Sequence, residues 1–436
     1  MKVLKFGGTS VGSAARFKDV AKIVVPAGPN MVVLSAMSGT TNTLVDIAGQ
    51  LYDRNQDRAH NSILQLRKKY VNVVEELYST DEHKHKALQF IAETFDYLAS
   101  FTKDFFGSVQ ERLILAQGEL VSTFLFATLL EEQGVRVRLL PALSFMRIDR
   151  RGEPDMDNIR TSLLRILEEE KDADLYVTQG YICLNARYEV DNLRRGGSDY
   201  TACLIGAALQ AEEIQIWTDI DGLHNNDPRY VENTVAVRHL HFDEAAELAY
   251  FGAKILHPSC ILPAHNAGVP VRLLNTMEPE APGTLIDNSH DTGVIKAIAA
   301  KDNIVALKVR SSRRLLAYGF LRQVFEIFES YRASIDMICT SEVGVSLTIN
   351  DTRYLNEIVH DLKQYGTVSV DLDMCIVCVV GDMKWSNRGF ESKVMDALKE
   401  VPVRMVSYGG SNYNISILIR EEDKEMTLRS LSNKLF

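Results

Sequence analysis

Apolar and polar positions follow two regimes along this chain. Met1 to Leu4 is apolar but for Lys2 and reads as a buried strand; Ser13 to Val25 shows helical spacing, and Met31-Val32-Val33-Leu34-Ser35 is a second strand. Tyr52 to Phe106 is charged and helical in pattern, with no glycine between Gly49 and Gly107, and reads as a helical insertion or lid. Glu111 to Glu132 is a more apolar helical stretch. Strands recur at Val135–Leu140, Asp174–Ile182, Glu213–Trp217 and Val269–Leu274, with helical stretches between most of them. This alternation predicts an α/β domain, a mostly parallel sheet with helices on both faces. Pro279, Pro282 and Gly283 mark its end, near Asp287.

Beyond that point a β-α-β pattern occurs twice. Gly319-Phe320 opens a helix (Leu321 to Tyr331), followed by Ser334-Ile335-Asp336-Met337-Ile338 and a strand at Val343–Ile349. Seventy residues on, Gly389-Phe390 opens another, followed by Pro402–Val406 and a strand at Asn414–Ile419. Ser341 and Ser411 fall in register. The repeat predicts two small α+β modules, 294–370 and 371–436, with the strand near 294–300 open to sharing by the second, and Leu428 to Phe436 as a closing helix.

Length and charge narrow the function. The 436 residues call for two or three domains, and the net charge of −10 disfavours nucleic acid or an anionic membrane as partner. No run of apolar residues approaches a membrane span and the N-terminus enters a strand directly, so the expected location is the cytoplasm. Six scattered cysteines suit a reducing compartment. Cys375 and Cys378 are three apart on a strand, which sends their thiols to opposite faces, and both read as core residues. His239 and His241 share a face but lack a third ligand nearby, and read as structural.

The candidate chemistry lies in loops. Lys5-Phe6-Gly7-Gly8-Thr9-Ser10 puts a cation and two glycines at a strand end, where a phosphate could approach the backbone, although the same residues also make an ordinary turn. Ala36 to Asn42 is a loop of small hydroxyl and amide side chains, fit for a ligand or a helix cap. Glu119, beside Gly118 in a helical stretch, is a candidate for an ammonium group. Arg195-Gly196-Gly197-Ser198-Asp199 precedes an apolar helix, whose free amides favour anions and whose arginine could grip a carboxylate. Asp199 could order water, lysine or metal, or simply cap the helix. Thr218-Asp219 through Asp227-Pro228-Arg229 suits a nucleotide, and Phe251-Gly252-Ala253-Lys254 adds a second lysine. Together these describe a phosphoryl-transfer site, which works by positioning and charge neutralisation.

These motifs, in this order, resemble the aspartate kinases of the amino acid kinase fold, and the repeated modules resemble that family's tandem ferredoxin-like ACT domains. The resemblance spans nearly the whole chain. It implies phosphorylation of the β-carboxylate of L-aspartate by ATP with Mg²⁺, giving 4-phospho-L-aspartate for lysine, threonine and methionine synthesis. It implies Lys5 and Asp199 as catalytic residues, with Thr41, Glu119, Arg195 and Ser198 around aspartate. Gly7, Gly8, Ser10, Thr218, Asp219, His224, Arg229 and Lys254 would surround the nucleotide. Magnesium would be held by phosphates and water, with no protein ligand assigned. Gly319, Phe320, Leu321, Ser334, Asp336, Thr340 and Ser341 fit an amino-acid effector, lysine or threonine, and ACT modules imply a homodimer. The chain departs from the family at Arg194 and Glu189–Asn192 before the Arg-Gly-Gly-Ser-Asp motif, at His224, and at Arg314 and Leu316, where lysine-inhibited members carry Met and His.

Two rival readings remain open on the residues alone. One is a kinase of the same fold acting on glutamate, acetylglutamate, carbamate or UMP; the other is a catalytically inactive ACT amino-acid sensor.

Overall fold

The computed structural model describes the chain apart from residues 104, 194–195, 253–256 and 312–318 and the side chain of Ala27. It forms two compact units: Met1–Leu223 with Leu256–Asn288, and His224–Ile255 with Ser289–Phe436.

The strands up to residue 287 are β1 (Val3–Phe6), β2 (Asn30–Leu34), β3 (Val137–Leu140), β4 (Leu175–Gln179), a hairpin of β5 (Ile182–Leu184) and β6 (Val190–Asn192), β7 (Ile214–Thr218), β8 (His239–His241), β9 (Val271–Asn275) and β10 (Thr284–Asp287). Within the first unit they run β3-β4-β2-β1-β7-β9-β10 across one sheet, parallel except at β9–β10. Such a sheet is covered on both sides, so β1, β2 and β4 are buried at every position. After β2 the chain adds strands on one side of β1, then returns to add β7 on the other. Outside the carboxyl ends of strands at such a reversal is where open α/β sheets bind ligands.

The helices of this unit are α1 (Ala14–Val24), α2 (Thr40–Tyr52), α3 (Gln56–Leu77), α4 (Asp81–Ser100), α5 (Ser108–Glu132), α6 (Met156–Glu169), α7 (Gly197–Leu209) and, after α8 (Phe242–Tyr250) of the second unit, α9 (Pro258–Ala267). Ser13 caps α1 by accepting the Arg16 amide, and Phe17, Val20 and Val24 of that helix are buried. The stretch read as a helical insertion or lid is helical, the pair α3 and α4, and it is part of the core: Ile63, Leu66, Val74, Ile91, Phe95 and Leu98 pack with Leu4 and Phe6 of β1. Their polar faces hid this in the sequence. The run-length expectation for membrane spans also needs correction: α5 is long and apolar enough to cross a bilayer, because Glu119, Ser122 and Thr123 interrupt its runs without making it polar on average. Buried inside the protein over 78% of its most apolar window, it is the core helix of the first unit.

The second unit carries β11 (Ile295–Ser311), α10 (Phe320–Ser330), β12 (Ile338–Ser341), β13 (Gly344–Ile349), α11 (Leu355–Leu362), β14 (Gly366–Gly381), α12 (Phe390–Ala397), β15 (Met405–Tyr408), β16 (Asn414–Arg420) and α13 (Lys424–Leu435). Its sheet is antiparallel, in the order β12-β13-β11-β14-β16-β15. The repeat is visible in the backbone: Gly319 and Gly389 both precede their helices with φ of +92°. That left-handed conformation explains glycine at both positions.

Two cores form, but not from consecutive stretches. One joins Val305, Leu307 and Val309 of β11 to Phe320, Val324, Leu347 and Ile358. The other joins Ile298 of β11 to Cys375, Val377 and Val379 of β14, with Val394, Ile417 and Leu428. The 370/371 boundary of the tandem reading therefore falls inside β14, which runs unbroken through both cores. Cys375 and Cys378 are buried, and burial pushes both thiols up. His241 caps α8 by accepting the Asp243 amide, while His239 bonds Asp291 and Ser289.

Candidate active site

Three adjacent strands, β1, β2 and β4, end on the same side of the first unit's sheet and deliver the loops that build the site. Beyond β1, the Gly7 amide still donates to Trp217 O at 3.2 Å, extending the ladder by one residue. That amide is therefore not free for an anion, as the isolated motif suggests. Gly8 accepts the Ser38 amide, and a Cβ on it would lie 2.9 Å from Ala36 O. Glycine there lets the loops after β1 and β2 lie against each other. Ser10 is fully buried, with its hydroxyl 2.7 Å from that of Thr276, so it fixes the loop and does not face a ligand.

Lys5 is 8% exposed at the end of β1. Its Nζ lies 2.6 Å from Asp199 Oδ1, a close ion pair whose angles are not those of an aligned hydrogen bond. Asp199 reaches it from the first turn of α7. The helix begins after Gly196, at φ +65°, and no side chain caps it; Asp199 faces the lysine and is not the cap that its position suggests. A Cβ on Gly196 would fall 1.8 Å from Cys260 Sγ, so both backbone angle and space demand glycine there.

Beside this pair is a cavity of about 320 Å³ lined by Gly8, Thr41, Glu119, Tyr181 and Ser198, among others. Glu119 comes from α5 and is 4% exposed. Its Oε1 accepts the Ala36 amide at 3.3 Å, whereas Oε2 is buried without a hydrogen-bond partner. Burial pushes its carboxyl up to about 8, against the lowering effect of the Ala36 amide. A carboxylate in that state gains from a cationic partner. Gly118 beside it has a packing cause, since a Cβ would lie 2.7 Å from that of Ala36. Thr41 is in the first turn of α2 and Ser198 in that of α7, so two helix N-termini border one cavity.

Tyr181 is the residue that the motifs did not reveal. It follows Gly180 at the end of β4, holds φ +68°, and lines the same cavity, where burial pushes its phenol up to about 12. The sequence pattern runs that strand on to Ile182 and so hides Tyr181 inside it, whereas β4 ends at Gln179 and Gly180 opens the loop. Lys69 of α3 was also missed; its ammonium donates to Ser38 O at 2.7 Å and steadies the loop after β2.

The remaining assignments scatter. Thr218 and Asp219 sit at the end of β7, the threonine hydroxyl donating to the Asp219 carboxylate at 3.1 Å. Arg195 and Lys254 lie outside the described residues, as do Arg314 and Leu316. In the second unit, His224 Nδ1 is 2.8 Å from the Thr234 hydroxyl, and Arg229 is paired with Asp227, Nη2 to Oδ2 at 2.6 Å. Among the effector candidates, Gly319, Phe320 and Leu321 open α10, Ser334 precedes β12, and Thr340 and Ser341 lie on it. Asp336, with its side chain 1% exposed, accepts from Lys301 Nζ at 2.7 Å and from the Tyr250 hydroxyl at 2.8 Å.

Known proteins fit this arrangement. The amino acid kinase family matches residues 1–275, and the ACT domain family matches residues 377–435. The lysine-sensitive aspartokinase 3 of Escherichia coli (strain K12) is 33% identical over 455 residues, which take in 100% of this chain and 99% of that protein. The crystal structure of E. coli aspartokinase III in complex with aspartate and ADP, in the R-state, shares 31% identity at a TM-score of 0.80, covering 100% of both chains. The same enzyme in complex with lysine and aspartate, in the T-state, matches with the same identity and TM-score over 100% of this chain and 99% of that one. With a parallel sheet, a lysine–aspartate pair at its carboxyl ends and full-length likeness to those enzymes, this chain belongs to the aspartokinases.

Proposed function

We propose that the protein transfers the γ-phosphoryl group of ATP to the β-carboxylate of L-aspartate, giving 4-phospho-L-aspartate and ADP, and that an amino acid regulates it. The observation that carries this reading is the unpartnered Glu119 oxygen in a small cavity next to the Lys5–Asp199 pair. A carboxylate with one buried oxygen lacking a donor suits the ammonium of an amino acid, which supports an amino acid as acceptor. Ser198 and Thr41 add hydroxyls beside it, and Arg195 is assigned to the α-carboxylate by its motif. UMP and carbamate have no α-ammonium and leave Glu119 unsatisfied.

The chemistry follows from charge and position. An oxygen of the aspartate β-carboxylate attacks the γ-phosphorus, a P–O bond forms, and the bond from that phosphorus to the β,γ-bridging oxygen breaks, its electrons leaving with ADP. Lys5 neutralises the group in flight, and Asp199 holds the ammonium in place beforehand. Magnesium, which the resemblance implies, would be carried mainly by phosphates and water and would neutralise charge on the transferring group. Gly8, Thr218 and Asp219 are assigned to the nucleotide with Gly7, whose role is steric; Ser10 supports them from behind. The assignments of His224, Arg229 and Lys254 rest on motif order.

The effector reading centres on Asp336, whose carboxylate holds Lys301; a free lysine would compete with that internal ammonium. A homodimer through the second unit follows from the ACT resemblance, and a cytoplasmic location from the few, scattered cysteines that suit a reducing compartment. An aspartate-dependent ADP-release assay, run with glutamate as alternative acceptor and with added lysine, threonine or methionine, tests the proposal. Turnover with glutamate and none with aspartate would sink it; loss of turnover in every condition would favour the sensor.

A further inference from the structure

We infer that the C-terminal helix α13 is a positioning element for the Asp227–Arg229 turn, and that it governs the affinity for nucleotide. The inference rests on the reading of Arg229 as a nucleotide ligand, and it concerns contacts inside the second unit alone.

Three groups of α13 grip the turn. The side-chain amide of Asn226, buried at 3% exposure, donates to Leu428 O at 3.1 Å. Arg429 Nε donates to Tyr230 O at 3.0 Å. Lys424, 6% exposed, places Nζ 4.4 Å from the centre of the Tyr230 ring and 3.3 Å from its hydroxyl, with Asp302 Oδ2 at 2.6 Å completing its coordination. Val231, next in the chain, is built into the same core as Leu428 and Leu431 of α13. The turn is thus held on either side of Arg229, by Asn226 before it and by Tyr230 and Val231 after it.

The turn itself is rigid. Arg229 N–H and Nε both donate to Asp227 Oδ1, at 2.9 and 3.0 Å, and the amides of Tyr230 and Val231 donate to Asp227 O. Arg229 nevertheless leaves its side chain 71% exposed. Its head is also held by Asp227, with Nη2 donating to Oδ2 at 2.6 Å, so a largely exposed guanidinium is fixed in one orientation in which it can meet an anion, and the hold on the flanks of the turn belongs to α13. Nothing in the spacing of Asp227-Pro228-Arg229 discloses this, because the partners are about two hundred residues away.

The test compares apparent KM values of the full-length enzyme for ATP and for aspartate. Arg429→Ala, which removes a side chain that is 57% exposed, and Tyr230→Phe, which removes only a hydroxyl, are the informative variants. A lost hydrogen bond of ordinary strength is worth roughly a tenfold change in an equilibrium constant. We expect the KM for ATP to rise by up to that factor, the KM for aspartate and the melting temperature to stay put, and Arg429→Lys, which keeps a donor, to restore most of the affinity. Arg229→Ala is the control. If it raises the KM for ATP while Arg429→Ala and Tyr230→Phe do not, or if these two raise both KM values equally, the role of α13 is refuted. If Arg229→Ala leaves the KM for ATP unchanged, the nucleotide reading of the turn fails first.

Discussion

Lys5 Nζ and Asp199 Oδ1 stand 2.6 Å apart, although 193 residues of chain separate them, because β1 ends where α7 begins. The pair holds a cation at the sheet's carboxyl edge without the alignment of a good hydrogen bond, so an incoming phosphate can compete for it.

Lys5→Ala should lower kcat by about 10²–10³-fold, the usual cost of removing one stabilising group from a developing anion. The variant is expected to keep its circular dichroism spectrum, since the deleted atoms lie at a site edge. Near-wild-type ADP release would refute the assignment.

With Glu119 in its proposed role, aspartate binding should depend on pH. Only the ionised carboxylate attracts an ammonium, and in the free protein the group is protonated below about 8. The KM for aspartate should therefore fall as pH rises toward 8, and Glu119→Gln should raise it and flatten the profile. Stability runs the other way. A carboxyl whose folded-state value is raised binds a proton that the unfolded chain releases above about 4.5, so this contribution is lost as pH climbs from there to about 8. Melting curves of wild type and Glu119→Gln without ligand should converge at low pH, where the carboxyl is neutral like the amide, and diverge as pH rises to about 8, with wild type the less stable.

Much of this site was legible in the sequence, for definite reasons. Lys5, Thr41, Ser198 and Asp199 sit at strand ends and helix starts, where local pattern fixes geometry. Their partners were not legible. That Asp199 meets Lys5 and is not a cap, that the Gly7 amide is spent on Trp217, and that Ser10 turns inward to Thr276 are all long-range facts. The helical pair α3 and α4 shows the same limit. Charged residues on their outer faces let core helices read as an insertion or lid, since amphipathic spacing tells that a face is buried but not against what.

Gly118→Ala pits helix propensity against packing. Alanine gains ~1 kcal/mol within a helix, but its Cβ would press on Ala36, and overpacking costs ~1–3 kcal/mol. We expect net destabilisation on denaturant titration and a raised KM for aspartate, because Ala36 carries the amide bonded to Glu119. Adding Ala36→Gly should reverse both.

Lys301→Met should sharpen inhibition by lysine, since it removes the internal ammonium that occupies Asp336. The half-inhibiting concentration of lysine should drop, and Asp336→Ala should abolish inhibition. An unchanged inhibition curve in both variants would take the effector away from this carboxylate.

The two long strands of the second unit also bear on how this enzyme can be cut and recombined. Because β11 and β14 each contribute to both cores, no single break between 311 and 381 yields two self-sufficient pieces. A chain ending at 370 keeps Ile298 without the β14 residues that cover it, and a fragment starting at 371 lacks the Ile298 strand altogether. Exchange of regulatory parts among related enzymes should therefore succeed when residues 224–255 travel together with the span from 289 to the C-terminus, since Val231 shares the core of α13, or when residues 304–371 alone are replaced as an insert between the paired halves of the two strands.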